Sequence, residues 1–153
     1  MGKILEAVTR FFEEDQWNYE RHPDRPVLRL PFQGRNGHWN CFVQERNDQI
    51  LFYSVAFVKA PPERYGEVTE FITRANYGMT LGNFELDYSD GEVRYKTYMD
   101  VGDGELTDAL IRPLVYVNCL TMDRYIPGLE AVILAEGSPE LEVIRCETAE
   151  ERD

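Results

Sequence analysis

Residues 82–101 read GNFELDYSDGEVRYKTYMDV, and the fold can be built outward from them. Two strands of alternating character flank Asp90-Gly91, a dipeptide suited to a type I′ hairpin, whose two central residues take positive φ and whose twist matches the strands. Pairing about that turn sets Phe84, Leu86 and Tyr88 opposite Thr97, Tyr95 and Val93, and sets Glu85 and Asp87 opposite Lys96 and Arg94. One face is then apolar and the other carries opposite charges, each pair contributing about 0.2 to 1 kcal/mol. A slip of one residue would exchange the two faces, so the assignment of faces is strongly specified.

Upstream, residues 27–32, 38–46 and 49–58 predict a three-stranded meander with turns at Asn36-Gly37 and Asn47-Asp48. The pairing puts Leu30 and Phe32 beside Val43 and Cys41, which in turn lie beside Phe52 and Ser54. Pro31 lacks an amide donor, which places its strand at an edge or leaves that position without a donated bond. The third strand, ILFYSVAFV from residue 50, is apolar on both sides: Ile50, Phe52 and Ala56 on one, Leu51, Tyr53, Val55 and Phe57 on the other. A half-solvated strand has no need of a second apolar face. Leu51, Tyr53, Val55 and Phe57 are therefore the candidate interaction face, to be covered by another part of the chain or by a second subunit.

Helical spacing appears at Ile4, Leu5, Val8, Phe11 and Phe12. Residues 15–20 then alternate, with Trp17 and Tyr19 on one side, and predict a short edge strand whose aromatics join the core. Pro61-Pro62 opens a second helix and Gly78 closes it, with Tyr65, Val68, Phe71, Ile72 and Ala75 as its stripe. Residues 106–136 are helical in pattern, but Pro113 predicts a late start or distortion and Pro127-Gly128 a kink or break. Ser138-Pro139-Glu140 opens a short last helix through Cys146, and 147–153 read as a frayed acidic tail behind a single domain over 1–146. Strands run together rather than alternating singly with helices. This is the pattern of an α+β fold, an antiparallel sheet with helices gathered on one face, in the order α-β-β-β-β-α-β-β-α-α.

The chain has 153 residues, 16 basic against 28 acidic, for a net charge of −12. That balance repels phosphate backbones and anionic lipid, so neither nucleic acid nor membrane is an expected partner. No apolar run approaches a membrane span and no export pattern opens the chain, so a cytoplasmic location is expected. Glu6 occupies the position where an N-myristoylation motif needs a hydroxyl residue. Cys41, Cys119 and Cys146 are odd in number and lack a CxxC, which fits reduced, buried thiols; Cys146, between Arg145 and Glu147, has the most room to react. His22 and His38 stand in turns, at no metal-ligand spacing. Asp100, Asp103, Glu105 and Asp108 cluster, but without the spacing of a calcium loop they read as turn and helix-start acids. Asn76 and Asn83 bracket the Gly78–Gly82 pair and suit a role in satisfying backbone groups of that connection. No triad, metal set or cofactor loop is visible, so neither catalysis nor a cofactor is expected.

Three segments have more specific wording: RPVLRLPFQGRNGHW (25–39), TRANYGMTLGNFELDYSDGEVRYKT (73–97) and LVYVNCLTMDRYIPGLEAVI (114–133). They resemble the YbjN-domain family of bacterial proteins labelled sensory transduction regulators, over residues 4–144. Residues 75–87 and 122–128 carry most of the likeness, and Pro113 is a departure within the long helix. The resemblance implies a fold similar to that of type III secretion chaperones, small acidic homodimers that hold unfolded segments of a partner. It offers no catalytic residue to carry over. The expectation is a non-enzymatic module, chaperone-like or regulatory, that binds a protein partner and forms a homodimer. The alternative is a small-molecule sensory domain with a pocket lined by Tyr53, Tyr95 and Tyr116.

Overall fold

The computed structural model describes residues 2–149. The chain runs α1 (Lys3–Glu14), β1 (Glu20–Arg21), β2 (Val27–Gln33), β3 (His38–Arg46), β4 (Gln49–Val55), a 3-10 turn (Pro62–Arg64), α2 (Tyr65–Asn76), β5 (Asn83–Leu86), β6 (Val93–Asp100), α3 (Asp108–Leu134) and α4 (Pro139–Ala149). The strands form one antiparallel sheet in the order β1-β2-β3-β4-β6-β5. The α+β class and the element order are those expected from the sequence.

Both expected faces of the sheet are kept, while two registers move by two residues. Leu28, Leu30 and Phe32 lie opposite Val43, Cys41 and Trp39, and Phe84 and Leu86 lie opposite Tyr95 and Val93. In the β5–β6 hairpin the turn is not type I′, because Gly91 has positive φ (+83°) and Asp90 does not. Instead the Asp87 and Asp90 carboxylates accept from the amides of Ser89 and Glu92, and the Asp87 amide donates to the Glu92 carbonyl, closing a four-residue loop. Local side-chain bonds of this kind compete with the tight turn. The β3–β4 turn does have positive φ at both Asn47 (+50°) and Asp48 (+63°), and its register is the expected one.

The first strand is shorter and later than expected. It comprises Glu20–Arg21 alone, and its pairing ends at Arg29, so nothing faces Pro31 from that side. Trp17 and Tyr19 precede it, half-buried, with the Trp17 ring stacked 5.8 Å from Phe32 and edge-on to Tyr116 at 5.6 Å.

All four helices lie on the side of the sheet bearing Leu28, Leu30, Cys41, Val43, Ile50, Phe52, Val93 and Tyr95, each at most 1% exposed. The anchor of this layer is Asn118 of α3, fully buried over β4 and β6. Its Nδ2 donates to the carbonyls of Phe52 (2.9 Å) and Tyr95 (3.1 Å) and to Thr97 Oγ1 (3.2 Å), while its Oδ1 accepts from Ser54 Oγ (2.6 Å). Thr97 in turn donates to the Leu114 carbonyl at 2.8 Å. With the Ser54 proton committed to Asn118, the serine oxygen accepts from the Cys41 thiol at 3.5 Å and Cys41 Sγ accepts from Cys119 at 3.9 Å. Every donor in this buried chain has an acceptor.

Helix α3 is unbroken through both prolines, contrary to the expected distortion and kink. A proline leaves the carbonyl four residues earlier without its helical donor. For Pro113 that carbonyl belongs to exposed Ala109, where water can serve. For Pro127 it belongs to Asp123, and the Asn36 side chain donates to it at 3.0 Å. The Asp123 carboxylate then takes the amides of Arg35 (3.0 Å) and Asn36 (2.8 Å), so α3 clamps the β2–β3 turn by three bonds. A Cβ on Gly34 would lie 2.2 Å from Asp123 Oδ1, which reserves that position for glycine. Helix α4 continues past Cys146 to Ala149, where Arg124 donates to the Glu147 carbonyl at 2.9 Å; residues 150–153 of the expected tail lie outside the described residues.

Asp15, after the end of α1, accepts from Tyr116 Oη and Trp17 Nε1 and pairs with Arg112. These contacts, the Tyr116 hydrogen bond first, hold its carboxyl below the ordinary value of 3.8. Its stabilising contribution is therefore complete above that value and lost as pH falls below it. Asp15→Asn should be less stable than the parent at neutral pH, and its stability, followed by circular dichroism, should fall less steeply as pH drops below 3.8, with Tyr116→Phe intermediate; an unchanged pH dependence would remove this role. Asp123→Ala should cost about 2 to 3 kcal/mol in denaturant unfolding, since it orphans two turn amides, with an unchanged denaturant slope.

Candidate functional site

The other side of the sheet carries no helix among the described residues. The pairing registers lay it out in rows: Arg29, Phe42, Tyr53 and Lys96; Pro31, Asn40, Val55, Arg94 and Glu85; Val27, Gln44, Leu51 and Tyr98. Phe42, Tyr53 and Val55 are half-buried with no second layer above them, and Tyr98 is 54% exposed. Their partial cover comes from neighbours in the same sheet. The Arg94 guanidinium lies 4.3 Å above the Tyr53 ring, a cation–π contact. Leu51 sits between Gln44 and Tyr98 and is only 9% exposed. Phe57 falls beyond the end of β4, 57% exposed, with its ring 5.2 Å from His38. The four residues singled out from the sequence thus share one face, with Leu51 sunk into it and Phe57 at its rim.

The face also differs electrically from the rest of the molecule. Arg29, Arg46, Arg94 and Lys96 project from it, against Glu20, Glu85 and Asp100, with Asp87 and Glu92 just past the strand ends, so a chain of net charge −12 has one side on which the charges nearly balance. Glu85 alone binds two of these cations, Arg94 Nε at 2.9 Å and Lys96 Nζ at 3.1 Å.

The sheet's β5 edge is closed to an added strand. The Asn76 amide accepts from the Phe84 N–H (2.7 Å) and donates to the Phe84 carbonyl (3.1 Å), occupying the groups a further strand would use. Asn83 also donates to that carbonyl, so both asparagines serve the helix-to-strand connection.

Tyr53, Tyr95 and Tyr116 do not line a common pocket. Tyr53 is on the free face, Tyr95 is in the core on the opposite side, and Tyr116 reaches Asp15 at the end of α1. The cysteines are buried as well: hydrogen bonding to Cys41 and burial push the Cys119 thiol up, and burial does the same at Cys146, 5% exposed. That corrects the reading of Cys146 as the thiol with room to react. No group of three or more His, Cys, Asp or Glu among the described residues could hold a metal ion. No described helix is long and apolar enough to cross a membrane.

A family model described as "Putative bacterial sensory transduction regulator" matches residues 5–131. The chain belongs to the YbjN family. Its fold is similar to the crystal structure of YbjN, described as "a putative transcription regulator from E. coli", at TM-score 0.66 and 16% identity, over 83% of this chain and 90% of that one. At that identity the likeness concerns the fold alone. No curated protein matches the chain. Helix α4 lies beyond the span of the YbjN family model. The segments that carry the sequence resemblance have structural duties here: Asn76 at the sheet edge, Asn36 and Asp123 at the turn clamp. Sequence reading missed Asn118 and Asp123 as fold determinants; the one available signal was an amide or carboxylate amid apolar helical positions.

The two sides of β4 should respond differently to substitution. Phe52→Ala, on the helix side, should cost about 3 to 5 kcal/mol through cavity formation, whereas Val55→Thr, on the free side, should cost under about 1 kcal/mol. Equal losses in urea titrations would mean that the free face is packed in the isolated chain.

Proposed function

We propose that this YbjN-family chain is a regulatory protein-interaction module without catalytic activity, and that its helix-free sheet face holds another polypeptide. The observation that carries this reading is the row structure of that face: Phe42, Tyr53, Val55 and Tyr98 form an aromatic and aliphatic centre, bordered by arginines and a lysine. Tyrosine, phenylalanine and arginine are the residues enriched at protein interfaces, and lysine on a rim costs little to leave solvated. The near balance of charge there lets a second chain approach an otherwise strongly negative molecule. Asn76 blocks strand addition at the β5 edge, which favours docking to the face of the sheet at that end. The same face is the site proposed for homodimer contact, in exchange with the partner.

Affinity capture from bacterial extract tests this with two matched variants. Tyr53→Asp should lose the captured polypeptide while its melting curve stays cooperative, and Leu120→Asp, at an exposed position of α3 on the far side, should retain it. Retention by Tyr53→Asp, or equal loss from both, would contradict the assignment of the face. Sedimentation of the parent chain should show self-association that Tyr53→Asp weakens.

A further inference from the structure

On the helix side, the α2–β5 connection, α3 and α4 enclose a cleft of about 360 Å³. Its floor is made by Tyr95 and Tyr125, whose buried rings both pack against Phe84, with centroids 4.9 and 5.6 Å away. Thr80, Thr121, Arg124 and Glu147 complete the polar lining, and Tyr77, 90% exposed, stands at the mouth.

The direction of each hydrogen bond decides what this cleft presents. Burial holds both phenols protonated, Tyr125 pushed up to about 12. The Tyr95 hydroxyl donates to the Leu81 carbonyl and the Tyr125 hydroxyl donates to Glu147 Oε2 at 3.3 Å. Arg124 directs Nε to the Cys146 carbonyl and Nη2 to the Glu147 carbonyl, toward the backbone of α4. A phenol that has given its proton keeps acceptor capacity, and a carboxylate accepts only. The cleft is therefore rich in acceptors, with the Glu147 carboxylate as its anionic group and an aromatic ring at its entrance; its one cation among the described residues, the Arg124 guanidinium 5.6 Å over the Tyr125 ring, is held against the α4 backbone carbonyls.

We propose that this cleft binds a small organic cation through its N–H groups, a primary ammonium or a guanidinium. Glu147 is its counter-ion, Tyr125 and Tyr95 accept hydrogen bonds from it, and Tyr77 covers its apolar part. The net charge of −12 favours the approach of such a ligand. The site is separate from the sheet face and does not depend on the docking role given to it.

Isothermal titration of the full chain at neutral pH with phenethylamine and with agmatine tests the proposal, using phenylacetate and 2-phenylethanol as the anionic and neutral counterparts of the first. Saturable one-to-one binding is expected for at least one of the two cations and for neither counterpart. Glu147→Gln should weaken binding at least about tenfold and Tyr125→Phe about three- to tenfold. Tyr77→Ala, at a 90% exposed position where folding is not at stake, should weaken phenethylamine more than agmatine. Tyr53→Asp should leave binding unchanged. The proposal is overturned if neither cation saturates at millimolar concentration, if 2-phenylethanol binds equally well, or if folded Glu147→Gln binds like the parent.

Discussion

The structure depends on one buried amide. Asn118 joins α3 to the adjacent strands β4 and β6 by spending both its donors and its acceptor on Phe52, Tyr95, Thr97 and Ser54, in a place where an unmet polar group would cost about 1 to 3 kcal/mol. That requirement fixes which face α3 covers and how far along the sheet it sits. The other helices follow, since α1, α2 and α4 pack on α3. Once the helical layer is committed to one side, the opposite side is left, among the described residues, as a bare pleated surface, and the apolar residues on it acquire a meaning beyond packing.

Asp123 extends the same logic to the edge of the layer. A proline one turn later would ordinarily leave its carbonyl unmet, but Asn36 supplies the donor, and the carboxylate takes two turn amides. The helix break expected from Pro127-Gly128 is thereby replaced by a tether between α3 and the β2–β3 turn. Asn36 and Asp123 thus hold the fold together, and the surfaces available for recognition are set by what that scaffold leaves uncovered.

The alternation of apolar and polar residues made the sheet legible from the sequence, since a period of two assigns every side chain to a face. The same period hides a shift of two residues, which is how the β2–β3 and β5–β6 pairings moved without disturbing either face. Turn chemistry decided those shifts, through the Asp87 and Asp90 carboxylates in one hairpin and Asp123, 88 residues distant from Arg35, in the other. The second apolar side of β4 was visible in the string, but the shielding of Leu51 by Gln44 and Tyr98 was not, because it depends on neighbours brought in by pairing. The three tyrosines grouped into one pocket failed for a similar reason: strand parity puts Tyr53 and Tyr95 on opposite faces. The cleft that does exist draws its acceptors from β6, α3 and α4, elements far apart in sequence.

Two surfaces of different character result: a broad, nearly neutral aromatic sheet face and a narrow, acceptor-rich cleft on the helix side. Their separation rests on the sheet being covered on one side only. Solvent paramagnetic relaxation of side-chain signals in the dilute, isolated chain, using a soluble neutral nitroxide, measures that directly. Val55, Tyr53 and Phe57 should be strongly relaxed while Val43, Ile50 and Phe52 are spared; protection of both sets would show a second layer over the sheet and contradict the one-sided architecture.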